Sequence, residues 1–202
     1  LLGRRTAGRT LRGGMVMIKR SLLWTAAVCV AGVAAEAAIS VGGISFTGFN
    51  VDGDDDFAIV ALESIGAGET LYFTDDEPDG AGGFNDDNEG TLQWSTTSAV
   101  SAGSIVTFSD TDSGGNPGFG VSTGVLSVSD NTLNLSSGGD GLWAFQGSRS
   151  TPTFIAAITN EDFTSGSAGV LTGTGLVEGD TAVAFTSGAN DDGGDYSGPR
   201  SG

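Results

Sequence analysis

From Ala38 onward the chain is cut into short apolar stretches, most of four to seven residues, by recurring Gly, Asp, Asn and Ser. That punctuation constrains the fold more than any other feature. Thirty-five of the 202 residues are glycine, against an average usage of about 7%. Each interior glycine costs a helix about 1 kcal/mol relative to alanine, and no window sustains a 3.6-residue apolar period. The best helical segment is a single turn near Asn160–Phe163. The stretches instead alternate partially and favour Val, Ile, Thr, Phe and Trp, the residues of half-buried strands.

Ten strands are predicted: Gly43–Phe49, Phe57–Glu63, Thr70–Thr74, Thr91–Ser95, Ile105–Ser109, Gly124–Val128, Thr132–Leu135, Leu142–Gln146, Thr153–Thr159 and Thr181–Thr186. Turn signals separate many of them, among them Asp52-Gly53, Asp79-Gly80, Gly114-Gly115 and Gly138-Gly139. With no helices to cover a parallel sheet, the expected architecture is an all-β sandwich of about 8–10 short strands. The segment Ile65–Asp75 is echoed 35 residues later by Val100–Asp110. Each reads as turn, strand, acidic exit. Nine strand aromatics (Trp94, Trp143, Phe46, Phe49, Phe57, Phe73, Phe108, Phe145 and Phe154) and Phe185 are expected in the core. Trp143 is the one considered for a solvent-facing place, where it could stack on a sugar.

The N-terminus reads as an address. Lys19-Arg20 precedes an apolar run, Ser21–Val33, too short for a comfortable membrane span. Ala35-Glu36-Ala37 offers the small-x-small pattern of a signal-peptidase site. Residues 15–37 are therefore expected to be a signal peptide, with residues 38–202 forming one domain. Residues 1–14 contain no methionine and read as an upstream extension, with initiation at Met15 or Met17. The single cysteine, Cys29, lies in the removed part, so the domain must hold without disulfides.

Charge divides at the same place. From Ala38 there are 24 acids against 2 bases, a formal charge of −22. Such a surface repels nucleic acid and anionic membranes. Histidine is absent, which removes the Ser-His-Asp triad, the Cys-His pair and histidine-ligated zinc. No nucleophile–base pair is recognisable, so a non-enzymatic role is expected.

The acids concentrate in loops. Asp52, Asp54 and Asp56 place oxygens at every second position, like the start of a calcium loop. An EF-hand is excluded, because its sixth position is Phe57 and residues 57–62 read as a strand that would carry Glu63 about 20 Å away. A calcium ion on Asp52, Asp54 and Asp56 would need groups from another loop. A second set, Asp75, Glu77, Asp86 and Glu89, lies in the acidic segment between two neighbouring strands. Calcium is the cation these seven candidate ligands would take, because hard oxygen donors suit it and close carboxylates repel one another. The remaining clusters are Asp110-Thr-Asp112 and Asn190–Asp195.

The stretches 44–62 (ISFTGFNVDGDDDFAIVAL), 71–77 (LYFTDDE), 89–94 (EGTLQW), 139–147 (GDGLWAFQG) and 152–158 (PTFIAAI) resemble a recurrent domain of bacterial secreted and surface proteins. That domain is similar to lamin-tail-type β-sandwiches, which are immunoglobulin-like. The resemblance implies an exported, cell-surface or extracellular module and says little about activity. Asp76 and Pro78 depart from its pattern, which has Asn and an aromatic there. The chain shows no final apolar helix with a basic tail, so a sorting anchor is absent or lies outside the sequence. The leading expectation is a non-catalytic binding or structural module, partnered by a cell-surface polymer or by copies of itself. Two alternatives stand beside it: a carboxylate-only hydrolase of the glycosidase kind using Glu77 and Glu89, and a subunit of an extracellular β-rich assembly joined by strand edges.

Overall fold

The computed structural model describes residues 38–85, 89–164, 166–184 and 192–197. The segment expected to be a signal peptide, with Cys29, and Asp86, Phe185 and Asp191 lie outside the described residues. Eleven strands follow in order: β1 (Ile44–Asn50), β2 (Asp56–Ala61), β3 (Thr70–Thr74), β4 (Thr91–Ser95), β5 (Ile105–Ser109), β6 (Gly120–Val121), β7 (Val125–Val128), β8 (Gly141–Ser148), β9 (Thr151–Thr159), β10 (Ala182–Ala184) and β11 (Gly193–Asp195). No helix occurs among the described residues, and the turn expected near Asn160–Phe163 is bends and an open turn.

The strands form two sheets, β11-β1-β2-β5-β6 and β10-β9-β8-β3-β4-β7. All pairings are antiparallel except β9–β10, where a long loop carries the chain back over the sheet to run parallel. Phe73 of one sheet meets Phe57 and Phe108 of the other at ring-centroid distances of 4.8 and 4.9 Å. The two sheets are thus packed face to face as a β-sandwich. The alternation along β1 breaks between Phe46 and Phe49, yet both are buried. A bulge between Phe46 and Gly48 restores the inward direction.

The 35-residue echo is structural. Gly68 and Gly103 both take positive φ, 87° and 83°, the conformation only glycine adopts freely. Ile65 and Val100 exchange both backbone hydrogen bonds at 2.9 Å. The two segments then enter opposite sheets, and their equivalent phenylalanines, Phe73 and Phe108, touch across the core.

A second apolar layer covers the outer face of the six-stranded sheet. Trp143, Phe154, Ala157 and Ala182 project from it and are packed by Phe163 and Leu176 of the β9–β10 loop. Phe84, from the loop after β3, lies 4.9 Å from both Phe145 and Phe154. This corrects the solvent-facing option for Trp143. Its indole is fully buried between the edges of Phe154 and Phe163. Gly169 makes room for it: φ there is +77°, and a β-carbon would come within 2.8 Å of both the indole and Pro78.

A second correction concerns Thr132–Leu135, which forms no strand. Leu133 and Leu135 are buried, as strand residues would be. What differs is the partner of the backbone, and that difference builds the site.

Candidate functional site

The antiparallel registers bring the loops after β1, β3, β5, β7 and β9 to one end of the sandwich. These loops hold most of the acids. Across that end runs the segment Asn131–Ser136, which plugs the core with Leu133 and Leu135. A buried backbone must find partners for its N–H groups, and here carboxylates supply most of them. Asn134 N–H donates to Asp75 Oδ2 at 2.7 Å. Leu135 N–H donates to Asp55 Oδ2 at 2.7 Å. Ser136 N–H donates to Asp140 Oδ2 at 3.0 Å. Only Leu133 N–H uses a backbone carbonyl, that of Thr111, at 3.2 Å. The segment is a strap held by three aspartates from three different loops.

Each aspartate is tied on its other side as well. Asp75 Oδ1 accepts the Gly90 N–H at 2.6 Å. Asp140 Oδ1 accepts the Gly141 N–H at 2.8 Å, and its own N–H donates to Asn160 Oδ1 at 2.7 Å. The carbonyl of Asp55 accepts both the N–H and the hydroxyl of Thr111, at 2.8 and 2.6 Å. Gly90 lies against the strap so closely that a β-carbon there would run into the backbone of Thr132 and Leu133.

Burial opposes charge at these three groups. Asp55 is pushed up to about 6, first by burial, with Asp112, Asp75 and Asp56 adding repulsion. Asp140 is pushed up to about 8 by burial, with Asp75 and Glu77 adding to it. Asp75 is raised by burial, against the pull of its amide donors and of Arg149. Arg149 is the one base among the described residues. Its guanidinium forms an ion pair with fully buried Asp76 and donates to Thr91 Oγ1 and the Asn85 carbonyl, both at 3.0 Å.

The seven candidate ligands fare differently. Asp52 and Asp54 are exposed, and their carbonyls accept from Asn50 Nδ2 at 3.3 and 3.2 Å. Asp56 Oδ1 accepts the Asp110 N–H at 2.9 Å. This brings the Asp110–Asp112 loop beside the first cluster, and partial desolvation and then Asp54 raise the Asp110 pKa. Asp75 holds two amides. Glu77 and Glu89 are half-buried, and Glu77 lies near enough to Asp140 to repel it. Asp86 lies outside the described residues. Among the described residues no group of three or more His, Cys, Asp or Glu is arranged to hold a metal ion.

Sequence reasoning missed Asp55 and Asp140 as the important acids. A usable signal existed: Asp55, Asp75 and Asp140 each stand within two positions of the end of a buried strand, where a carboxylate can reach the backbone of a crossing segment. Two surface hollows occur elsewhere. A trough of about 600 Å³ lies on the outer face of the five-stranded sheet, lined by Gly48, Asn50, Asp56, Ala58, Thr107 and Asp195 among others. A hollow of about 810 Å³ lies between β1 and β10, lined by Ser45, Thr47, Glu178, Val183 and Tyr196. Neither is lined by Glu77, Glu89, Asp75 or Asp140. No protein-family model, no curated protein and no solved structure matches this chain.

Proposed function

We propose that this chain is a non-catalytic, exported β-sandwich module that acts by binding or by structural support at the cell surface. The observation that carries the reading is the use of the buried carboxylates. Asp55, Asp75 and Asp140 are spent on backbone amides of the strap, leaving the acids most altered by burial engaged in holding the fold rather than facing a substrate. A general acid needs a raised pKa together with access to the bond it cleaves. Asp140 has the first and, at 8% exposure, lacks the second.

The resemblance to lamin-tail-type domains agrees with two mainly antiparallel sheets packed face to face, and export agrees with the basic start and apolar run before Ala38. The partner proposed is a cell-envelope polysaccharide. A domain at −22 disfavours polyanions, which points to a neutral or cationic polymer.

The test is co-sedimentation of the purified chain with envelope polysaccharide from the native host, with reducing ends assayed in the same tube. The expected result is a pelleted chain and no new reducing ends. Release of reducing ends that Glu77→Gln or Glu89→Gln abolishes would replace this reading with the hydrolase. Mass spectrometry of the exported protein should find an N-terminus within a few residues of Ala38.

A further inference from the structure

We propose that β7 is a dimerisation edge: two copies of this chain pair through it, antiparallel and with Ser127 facing Ser127 across a twofold axis, so that their six-stranded sheets run on as one.

Charge marks the surface. Between Gly90 and Ser129 the chain carries two acids, Asp110 and Asp112, and no base. This stretch supplies β4, β5, β6 and β7. β6 ends the five-stranded sheet and β7 ends the six-stranded one, and the two strands touch along one flank of the sandwich. Thr123, between them, ties that flank to the core by accepting the Trp94 indole N–H at 2.8 Å. Asp110 and Asp112 lie in the loop after β5, at the acidic end, where the Asp110 N–H meets Asp56. The body of the flank is therefore neutral in a domain whose formal charge is −22. Two copies so charged repel one another over most of their surface, and this flank is where they approach at least cost.

Among the described residues the outermost strands are β6, β10 and β11, of two or three residues, and β7, of four. Proteins guard an exposed edge with charge, proline, a bulge or extreme shortness. β7 carries no charge and no proline, and its register with β4 is unbroken from Val125 to Val128. Val125 and Val128 are 53% and 39% exposed.

The hydrogen-bond pattern fixes how a partner would dock. Ser129 N–H donates to the Thr91 carbonyl at 2.8 Å. Bonded and unbonded residues alternate along an antiparallel pair, so Ser127 and Val125 bond to β4, while the N–H and C=O groups of Leu126 and Val128 face away from it. A second β7, antiparallel and centred on Ser127, sets Leu126 of each copy opposite Val128 of the other, and those outward groups satisfy one another. Ser127 meets Ser127 where side chains come closest, and a small hydroxymethyl group fits there. β7 runs toward the acidic end, so antiparallel pairing sends the two acidic ends in opposite directions. Parallel pairing would set them side by side. The arrangement is self-complementary and uses up the edge in both copies, so it closes at a dimer. It stands apart from polysaccharide binding and holds whatever the module binds.

The experiment is sedimentation velocity of the purified chain from micromolar to near-millimolar concentration, at low and high sodium chloride. The expected result is a monomer–dimer equilibrium that salt strengthens by screening the repulsion. Ser127→Lys and Ser127→Asp should each weaken self-association about tenfold, since like charges then meet on the axis. An equimolar mixture of the two variants should associate again. Hydrogen exchange on the wild type gives a readout that needs no variant: the amides of Leu126 and Val128 should gain protection with concentration, while that of Ser127 is protected throughout. A chain that stays monomeric at every concentration and salt, a Ser127→Lys variant that associates as the wild type does, a mixture no better than its components, or an open series of larger species would each overturn the proposal.

Discussion

Arg149 joins three parts of the chain through one planar group. Its guanidinium meets the Asp76 carboxylate, the Thr91 hydroxyl and the Asn85 carbonyl. Asp76 is fully buried, so deleting the cation leaves a desolvated charge without its ion pair. Breaking a buried pair from one side costs about 3–5 kcal/mol. Arg149→Ala is therefore expected to lower unfolding free energy by about that amount in a urea titration. Arg149→Lys should recover only part of it, because an ammonium cannot reproduce the fork. Gly90 is a second position where one residue matters. Any side chain there meets the backbone of Thr132 and Leu133, and overpacking of this kind costs about 1–3 kcal/mol. Gly90→Ala should reduce thermal stability and should weaken exchange protection at the strap first.

At the scale of elements, the strap's leucines and aspartates act together. Leu133→Ala removes a buried side chain from the plug, and such truncations cost about 2–5 kcal/mol. The pH dependence of the fold follows from the same place. Asp55 and Asp140 both have folded-state values above the usual 3.8. Their contribution is fully present below about pH 4, and it is lost as pH rises through about 6 for Asp55 and about 8 for Asp140. The melting temperature should therefore be higher at pH 5 than at pH 9, the reverse of ordinary acid denaturation. Each kcal/mol appears as about 2–4 °C in a chain of this size.

The elements also show what the sequence could reveal. β3, β4 and β5 fall at the positions that their alternation predicts, because half-buried strands carry their burial pattern in their own residues. Thr132–Leu135 has the same pattern, yet the N–H groups of Asn134 and Leu135 go to side chains of residues far along the chain. No local rule reads that. β6 and β11 are two- and three-residue strands rich in glycine, a composition that strands normally avoid. The acidic clusters were legible as loops, but the burial of Asp55, Asp75 and Asp140 was not. Their burial depends on which backbone crosses above them. Trp143 was placed in a strand, while the loop layer that covers it comes from residues on the far side of β9.

For the whole molecule, charge is the dominant general force. A formal −22 over the domain destabilises the compact state through self-repulsion, and salt screens such repulsion between exposed charges. Melting temperature should rise with sodium chloride. Calcium chloride at matched ionic strength separates the two effects, since an equal rise is screening alone. A calcium excess over sodium would reveal a site that these contacts do not anticipate. Trp94 lies in the main core and Trp143 in the outer layer, yet both layers share the six-stranded sheet. The fluorescence of the two and far-UV circular dichroism should report one midpoint, and separate midpoints would divide the layers into independent units.

The echo and the strap also set an order of assembly. Ile65 and Val100 meet by closing a loop of 35 residues within two similar segments. The strap needs contacts 59 and 80 residues apart, between Asp75 and Asn134 and between Asp55 and Leu135. Loop-closure entropy must be met before distant contacts repay it. The paired echo is thus suited to nucleate the sandwich and the acid-bound strap to close it last. Its aspartates then dehydrate only after the core beneath them exists, and substitutions in the strap should speed unfolding while leaving the refolding rate nearly unchanged.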